Sequence, residues 1–206
     1  MNFNAAYEIL TTVPPNLVSE VNTQIANYAS YNDFNYKDKD TTTKEDSWYR
    51  MDFMTPPTKQ HLVPIYQSIM NLVNFISSST NIDPVNSVSL SLLRPKQVLA
   101  EHTDGRFIHR ITNRYLVPLT DSNVNYNYGY FNEEKIVYPL KCGNVYRINN
   151  AIIHSALNLE NEDRYNLLID CYETRLKNKF KDHPDLFHSL TMIGVNKEFE
   201  KRLKVK

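Results

Sequence analysis

The chain has 206 residues, and its 23 Lys+Arg balance 23 Asp+Glu to a formal net charge of zero, which argues against general electrostatic capture by nucleic acid or an anionic membrane and leaves open only a local basic patch. Four glycines exclude Gly-rich phosphate loops, and the two cysteines, Cys142 and Cys171, have no CxxC zinc spacing and read as reduced, partly buried thiols. No apolar run reaches the ~18 residues that a membrane span needs.

The start, Met1-Asn2-Phe3-Asn4, lacks the basic-then-apolar pattern of a secretory signal, so a cytoplasmic location is expected. The length suits one domain over 1–206, divided into a mostly helical part (1–85), a β core (86–174) and a helical tail (175–206). Pro14-Pro15 precede Leu17, Val21, Ile25 and Tyr28, a spacing that predicts a helix whose start the prolines help set. Residues 31–47 are polar and unpatterned and read as a long loop. After Pro56-Pro57, the residues Ile65, Ile69, Leu72, Val73 and Ile76 outline a second helix ending in Ser77-Ser78-Ser79-Thr80. The helical part, with Ser47-Trp48-Tyr49-Arg50, is a candidate lid over a pocket, although a single Trp48 reads first as core.

From residue 86 the period changes to two. Val88, Leu90 and Leu92 alternate with Ser87, Ser89 and Ser91, which predicts a strand. Further strands are expected at 97–103, 109–119, 135–140, 144–149 and 164–173, and the Asn/Tyr-rich stretch 123–129 reads as a hairpin loop. Fourteen tyrosines suit half-buried sheet positions. The fold class expected is α+β, with a β-sandwich or double-stranded β-helix core (jelly-roll or cupin-like) and flanking N-terminal and C-terminal helices.

The residues with most chemistry lie in this core. His102-Thr103-Asp104 places an imidazole and a carboxylate two positions apart on one face of an extended segment. His154, from a later segment, would complete two neutral nitrogens and one carboxylate, the set that holds Fe(II) and leaves its other face open. Arg164 lies ten residues beyond His154, where its planar fork suits the distant carboxylate of a 2-oxo acid. If Tyr165, Leu167 and Ile169 pack under the helices, Arg164 points into the barrel; otherwise Asp170 or Glu173 is available to it as an ion-pair partner.

Three readings stand at this point: a non-haem iron oxygenase, a zinc hydrolase on the same His/Asp/His set, and a non-catalytic lectin-like or cupin-like binding module. A zinc hydrolase needs a general base near the metal-bound water. Glu101 adjoins His102 on a strand and so falls on the opposite face. A simple binding module does not require the Arg164 spacing.

Three blocks resemble the aspartyl/asparaginyl β-hydroxylase-like branch of the Fe(II)/2-oxoglutarate dioxygenases. They are Ser91-Leu92-Leu93-Arg94-Pro95 with Ser91 eleven residues before His102, Arg114-Tyr115-Leu116-Val117-Pro118-Leu119, and Cys142-Gly143-Asn144-Val145 leading through Asn149 and Asn150 to His154 and Arg164. Together they cover about residues 87–172. The resemblance implies Fe(II) held by His102, Asp104 and His154, and 2-oxoglutarate gripped by Arg164 with help from the Ser91 hydroxyl. It puts Arg114 near a substrate carboxylate and makes O2 the oxidant. The implied reaction hydroxylates an unactivated C–H bond of a free amino acid or of a residue in a peptide or protein, with succinate and CO2 as co-products. One position departs from the family: Leu116 stands where a histidine usually contacts the near carboxylate of 2-oxoglutarate, so His109, Arg106 or Arg110 is a candidate replacement donor.

Overall fold

A computed structural model describes residues 5–37, 48–53, 55–80, 82, 85–103, 112–122, 124 and 126–172. In chain order the elements are β1 (Tyr7–Thr12), α1 (Pro15–Tyr28), β2 (Asn35–Lys37), β3 (Trp48–Asp52), α2 (Val63–Thr80), β4 (Val85–Leu93), β5 (Val98–His102), β6 (Thr112–Pro118), β7 (Tyr126–Phe131), β8 (Glu134–Pro139), β9 (Asn144–Ile148), β10 (His154–Leu157) and β11 (Arg164–Tyr172). The strands form two antiparallel sheets, one in the order β1-β9-β6-β11-β4-β3-β2 and a smaller one in the order β5-β10-β7-β8. This is a double-stranded β-helix with its helices outside.

The two faces of the large sheet are separated by the strict alternation of its strands. On β4 and β11, Val88, Leu90, Leu92, Leu167 and Ile169 turn one way and join Val18, Val21 and Ile25 of α1 and Ile65, Ile69, Leu72, Val73 and Ile76 of α2 in the main core. Each such side chain contributes about 1.5–3 kcal/mol on burial. Tyr165 packs against that core, so the opposite parity of β11, with Arg164, Asn166, Leu168 and Asp170, faces the small sheet. Between the sheets a smaller apolar cluster joins Leu116, Tyr146, Ile148 and Leu168 to Tyr138 and Leu140.

The helices therefore cover the face away from the inter-sheet space, which overturns the reading of the helical part as a lid. The first 85 residues also hold three strands that periodicity did not reveal. β1 is an edge strand with Ile9 and Leu10 exposed, and its ladder comes from β9, far away in sequence. β3 falls where a loop and lid were expected, and its Tyr49, Met51 and following Phe53 turn to the helices by simple alternation.

Of the stretch 123–129, read as a hairpin loop, residues 123 and 125 lie outside the described residues and 126–129 are not a loop. Its second half is β7, and the hairpin turn is Asn132-Glu133, both at positive φ (50° and 68°) between the pair Phe131↔Glu134. The expected tail, 175–206, lies outside the described residues, as do 38–47. Neither cysteine forms a disulfide; Cys171 is buried, and the Cys142 thiol is pushed up to about 11 by burial and by Asp121. Among the described residues no helix is long and apolar enough to cross a membrane.

Candidate active site

His102 ends β5 and His154 opens β10, and the antiparallel register sets them directly opposite each other. Their ring centroids are 4.4 Å apart. The two rings are oriented by the same local device. His102 Nδ1 lies 2.7 Å from the Ala100 carbonyl, and His154 Nδ1 lies 2.8 Å from the Ile152 carbonyl. A carbonyl only accepts, so each Nδ1 carries the proton, and in the neutral ring Nε2 carries the lone pair. Pinning one imidazole nitrogen in this way is how metal-binding histidines are held in tautomer and orientation. Asp104 lies outside the described residues, as do His109, Arg106 and Arg110.

The register continues to β7. Gly129 pairs with His154, and a Cβ added there would meet Ile152 Cδ1 at 2.8 Å, so a larger residue would require the Ile152 side chain to shift. Two residues earlier, about 7 Å along the strand, Asn127 is buried and faces the large sheet. Its Oδ1 accepts from Arg164 Nη2 at 2.6 Å, while Arg164 Nη1 donates to the Leu157 carbonyl. Arg164 thereby ties the two sheets together beside the histidine pair.

Arg164 is 2% exposed, and burial pushes its guanidinium down to about 9, which leaves it a cation at neutral pH. Its hydrogen-bond partners are neutral, and among the described residues it forms no ion pair with a carboxylate. A buried charge without a counter-charge is costly. Ser91 stands two residue pairs along on the neighbouring β4, opposite Asn166, and is buried.

Arg114, expected from the sequence near a substrate carboxylate, forms a buried ion pair on the large sheet. It sits opposite Asp170 on β6 and β11, with Nε 2.7 Å from Oδ1 and Nη2 3.0 Å from Oδ2, both partners buried. The Ser87 hydroxyl adds a third contact to Asp170 at 3.2 Å. Asp170 thus neutralises Arg114, not Arg164. Leu116 belongs to the apolar inter-sheet cluster, so no donor replaces the family histidine at that position itself.

Two contributors escape a reading of the sequence. Asn127 lies in a stretch that reads as a loop, where asparagine signals a turn. Asn158 is fully buried, and its Nδ2 donates to the carbonyls of Leu93, Arg94 and Glu162 at 2.8–3.0 Å. It fixes the loop that delivers Arg164 to β11. The signal for both is a polar residue with no charged neighbour in an otherwise apolar register, which single-sequence patterning does not separate from a turn. Glu101, the one base a hydrolase reading offered, is held on the outer face by the hydroxyls of Tyr128 and Tyr130, each at 2.8 Å. These bonds, Tyr128 first, keep its carboxyl below the usual range.

Two facing antiparallel sheets define the fold as a double-stranded β-helix. The same architecture occurs in a prolyl hydroxylase from Trichoplax adhaerens solved with a hypoxia-inducible-factor peptide fragment (TM-score 0.61, 9% identity, 86% of this chain and 88% of that one). It occurs again in a 2-oxoglutarate-Fe(II) oxygenase-family oxidoreductase from Burkholderia pseudomallei (TM-score 0.58, 11% identity, 80% and 84%). A prolyl-4-hydroxylase from Pseudomonas putida is a third example (TM-score 0.53, 12% identity, 82% and 93%). No curated protein sequence matches the chain. The aspartyl/asparaginyl beta-hydroxylase family model matches residues 16–174, and the chain belongs to that family. It is a 2-oxoglutarate-Fe(II) oxygenase acting as a hydroxylase, and not a zinc hydrolase or a non-catalytic binding module.

Proposed function

We propose that the protein hydroxylates an unactivated C–H bond of an amino acid, free or within a peptide or protein, using Fe(II) held by His102, Asp104 and His154 and 2-oxoglutarate held by Arg164 and Ser91. The observation that carries this reading is the buried Arg164 guanidinium with only neutral partners among the described residues. A carboxylate brought against it replaces an uncompensated cation by a bidentate pair.

When bound, Fe(II) with 2-oxoglutarate and O2 supplies the oxidising power for hydroxylation and releases succinate and CO2. The rest is the work of the chain. The carbonyls of Ala100 and Ile152 hold the Nδ1 protons and present Nε2 as the ligand nitrogen of each ring. Asn127 and the Leu157 carbonyl aim Arg164, and the Ser91 hydroxyl supplies a further donor on the adjacent strand. The apolar cluster around Leu116, Tyr138 and Tyr146 keeps water from one end of the inter-sheet space. We assign Arg114, already neutralised by Asp170, to holding the floor of the site and not to a substrate carboxylate. The peptide fragment held by the similar Trichoplax prolyl hydroxylase supports a peptide among the substrates to be tried.

The test is anaerobic reconstitution with Fe(II), followed by admission of O2 and a screen of amino acids and peptides for succinate release and a gain of one oxygen. Wild-type protein releases succinate only with both Fe(II) and 2-oxoglutarate, and His102→Ala or His154→Ala abolishes it. Succinate release that survives either substitution overturns the ligand assignment.

A further inference from the structure

Asn166 is 3% exposed and lies on the inner face of β11, two residues from Arg164 and directly opposite Ser91. Its Oδ1 is enclosed without a hydrogen-bond partner among the described residues, whereas its Nδ2 is not enclosed and makes no hydrogen bond to them. An enclosed amide oxygen with nothing bound is costly, and native interiors rarely tolerate one without a reason. The neighbouring residues make the location informative. Arg164 has a desolvated cation without an anion on one side, and Ser91 presents a hydroxyl on the other.

From this juxtaposition we infer that Asn166 is a third binding residue for the co-substrate carboxylate, its amide N–H donating to the oxygen shared with Arg164 and Ser91. The inference rests on the reading of Arg164 as the co-substrate anchor. The inventory of donors supports it. A carboxylate offers about four lone-pair sites, and two arms of the Arg164 fork are already committed to Leu157 and Asn127. The remaining guanidinium N–H groups and one hydroxyl leave room for another donor, and Asn166 is the uncommitted amide on that face. The Asn166 Nδ2 is not enclosed, so its N–H groups can meet the ligand at no cost in protein hydrogen bonds.

The experiment measures 2-oxoglutarate binding to the full-length, Mn(II)-loaded protein by calorimetry, together with the thermal midpoint of the metal-free protein. Asn166→Ala should raise the dissociation constant about tenfold or more without lowering the ligand-free midpoint, because the amide has no protein hydrogen bond to lose. Asn166→Asp should weaken binding further and raise the ligand-free midpoint, because the new carboxylate supplies the counter-charge Arg164 lacks. Arg164→Ala is the control. If it loses binding while both Asn166 variants bind like wild type, the inference about Asn166 fails and the reading of Arg164 stands. A lowered midpoint with unchanged affinity in Asn166→Ala likewise overturns it, by making Asn166 structural. If Arg164→Ala itself binds like wild type, the anchor reading fails.

Discussion

Arg114 and Asp170 face each other across β6 and β11 as a buried fork, with Nε to Oδ1 at 2.7 Å and Nη2 to Oδ2 at 3.0 Å. Removing one partner of such a pair strands the other charge. Arg114→Ala should therefore cost about 3–5 kcal/mol of stability, read by urea denaturation. The double variant Arg114→Met/Asp170→Leu should recover most of the loss. A purely kinetic effect, with stability unchanged, would return Arg114 to the role of a substrate arginine.

Leu116 is packed among Tyr138, Leu140, Tyr146, Ile148 and Leu168. Restoring the family histidine by Leu116→His places an imidazole where no polar partner waits, so it should cost about 2–3 kcal/mol and leave 2-oxoglutarate affinity no better. Thermal melts and calorimetry on the same samples check both halves. Tighter binding would show that the cluster opens to a polar ligand.

Asn158 serves three carbonyls at once. Asn158→Ala should cost about 2–3 kcal/mol by leaving buried acceptors unmet. Since those carbonyls hold the approach to Arg164, 2-oxoglutarate affinity should fall as well. Loss of stability with unaltered affinity would separate the loop from the anchor.

The hairpin turn offers a stabilising change. Glu133 sits at φ 68°, where a side chain is strained and glycine is not. Glu133→Gly after Asn132 makes the preferred Asn-Gly pair and should add about 1 kcal/mol, a rise of roughly 2–4 °C in the thermal midpoint for a domain of this size. A lower midpoint would mean that the Glu133 side chain makes a stabilising contact that outweighs the strain.

Asp33 supplies a pH test away from the site. Burial by itself would raise its carboxyl, but hydrogen bonds from Lys59, Ser30 and His61 outweigh that and hold it well below the ordinary 3.8. A depressed carboxylate stabilises the fold above its unfolded pKa and ceases to do so as pH falls through its folded one. The stability difference between wild type and Asp33→Asn should thus persist at about pH 5 and shrink as pH falls below about 4. A difference that stays flat to pH 2.5 would show that the carboxylate is not the group responsible.

How far the sequence discloses this molecule depends on whether an element states its partner locally. α1 and α2 are legible because their apolar spacing repeats within the element, and β4 and β11 because their alternation does. The parity argument on β11 also places Arg164 on the inner face. β1 is invisible because its hydrogen bonds come from β9 and its exposed side chains carry no period. β7 misleads because Asn127 and Gly129 look like turn residues; one is an inter-sheet acceptor and the other leaves space for Ile152. The histidine pair and Arg164 can be nominated from spacing, whereas the neutral setting of Arg164 and the capture of Arg114 by Asp170 are tertiary facts. Two arginines of similar local sequence thus differ in setting: Asp170 pairs with Arg114, and among the described residues no carboxylate pairs with Arg164.

Among the described residues the helices and the main core lie on one side of the large sheet, while six buried hydrophobic residues form the cluster between the sheets. Cohesion and chemistry are therefore segregated. The side chains that dominate cohesion lie apart from those that face the inter-sheet space, and this division directs a search for altered substrate preference to the walls between the sheets and not to the helical layer.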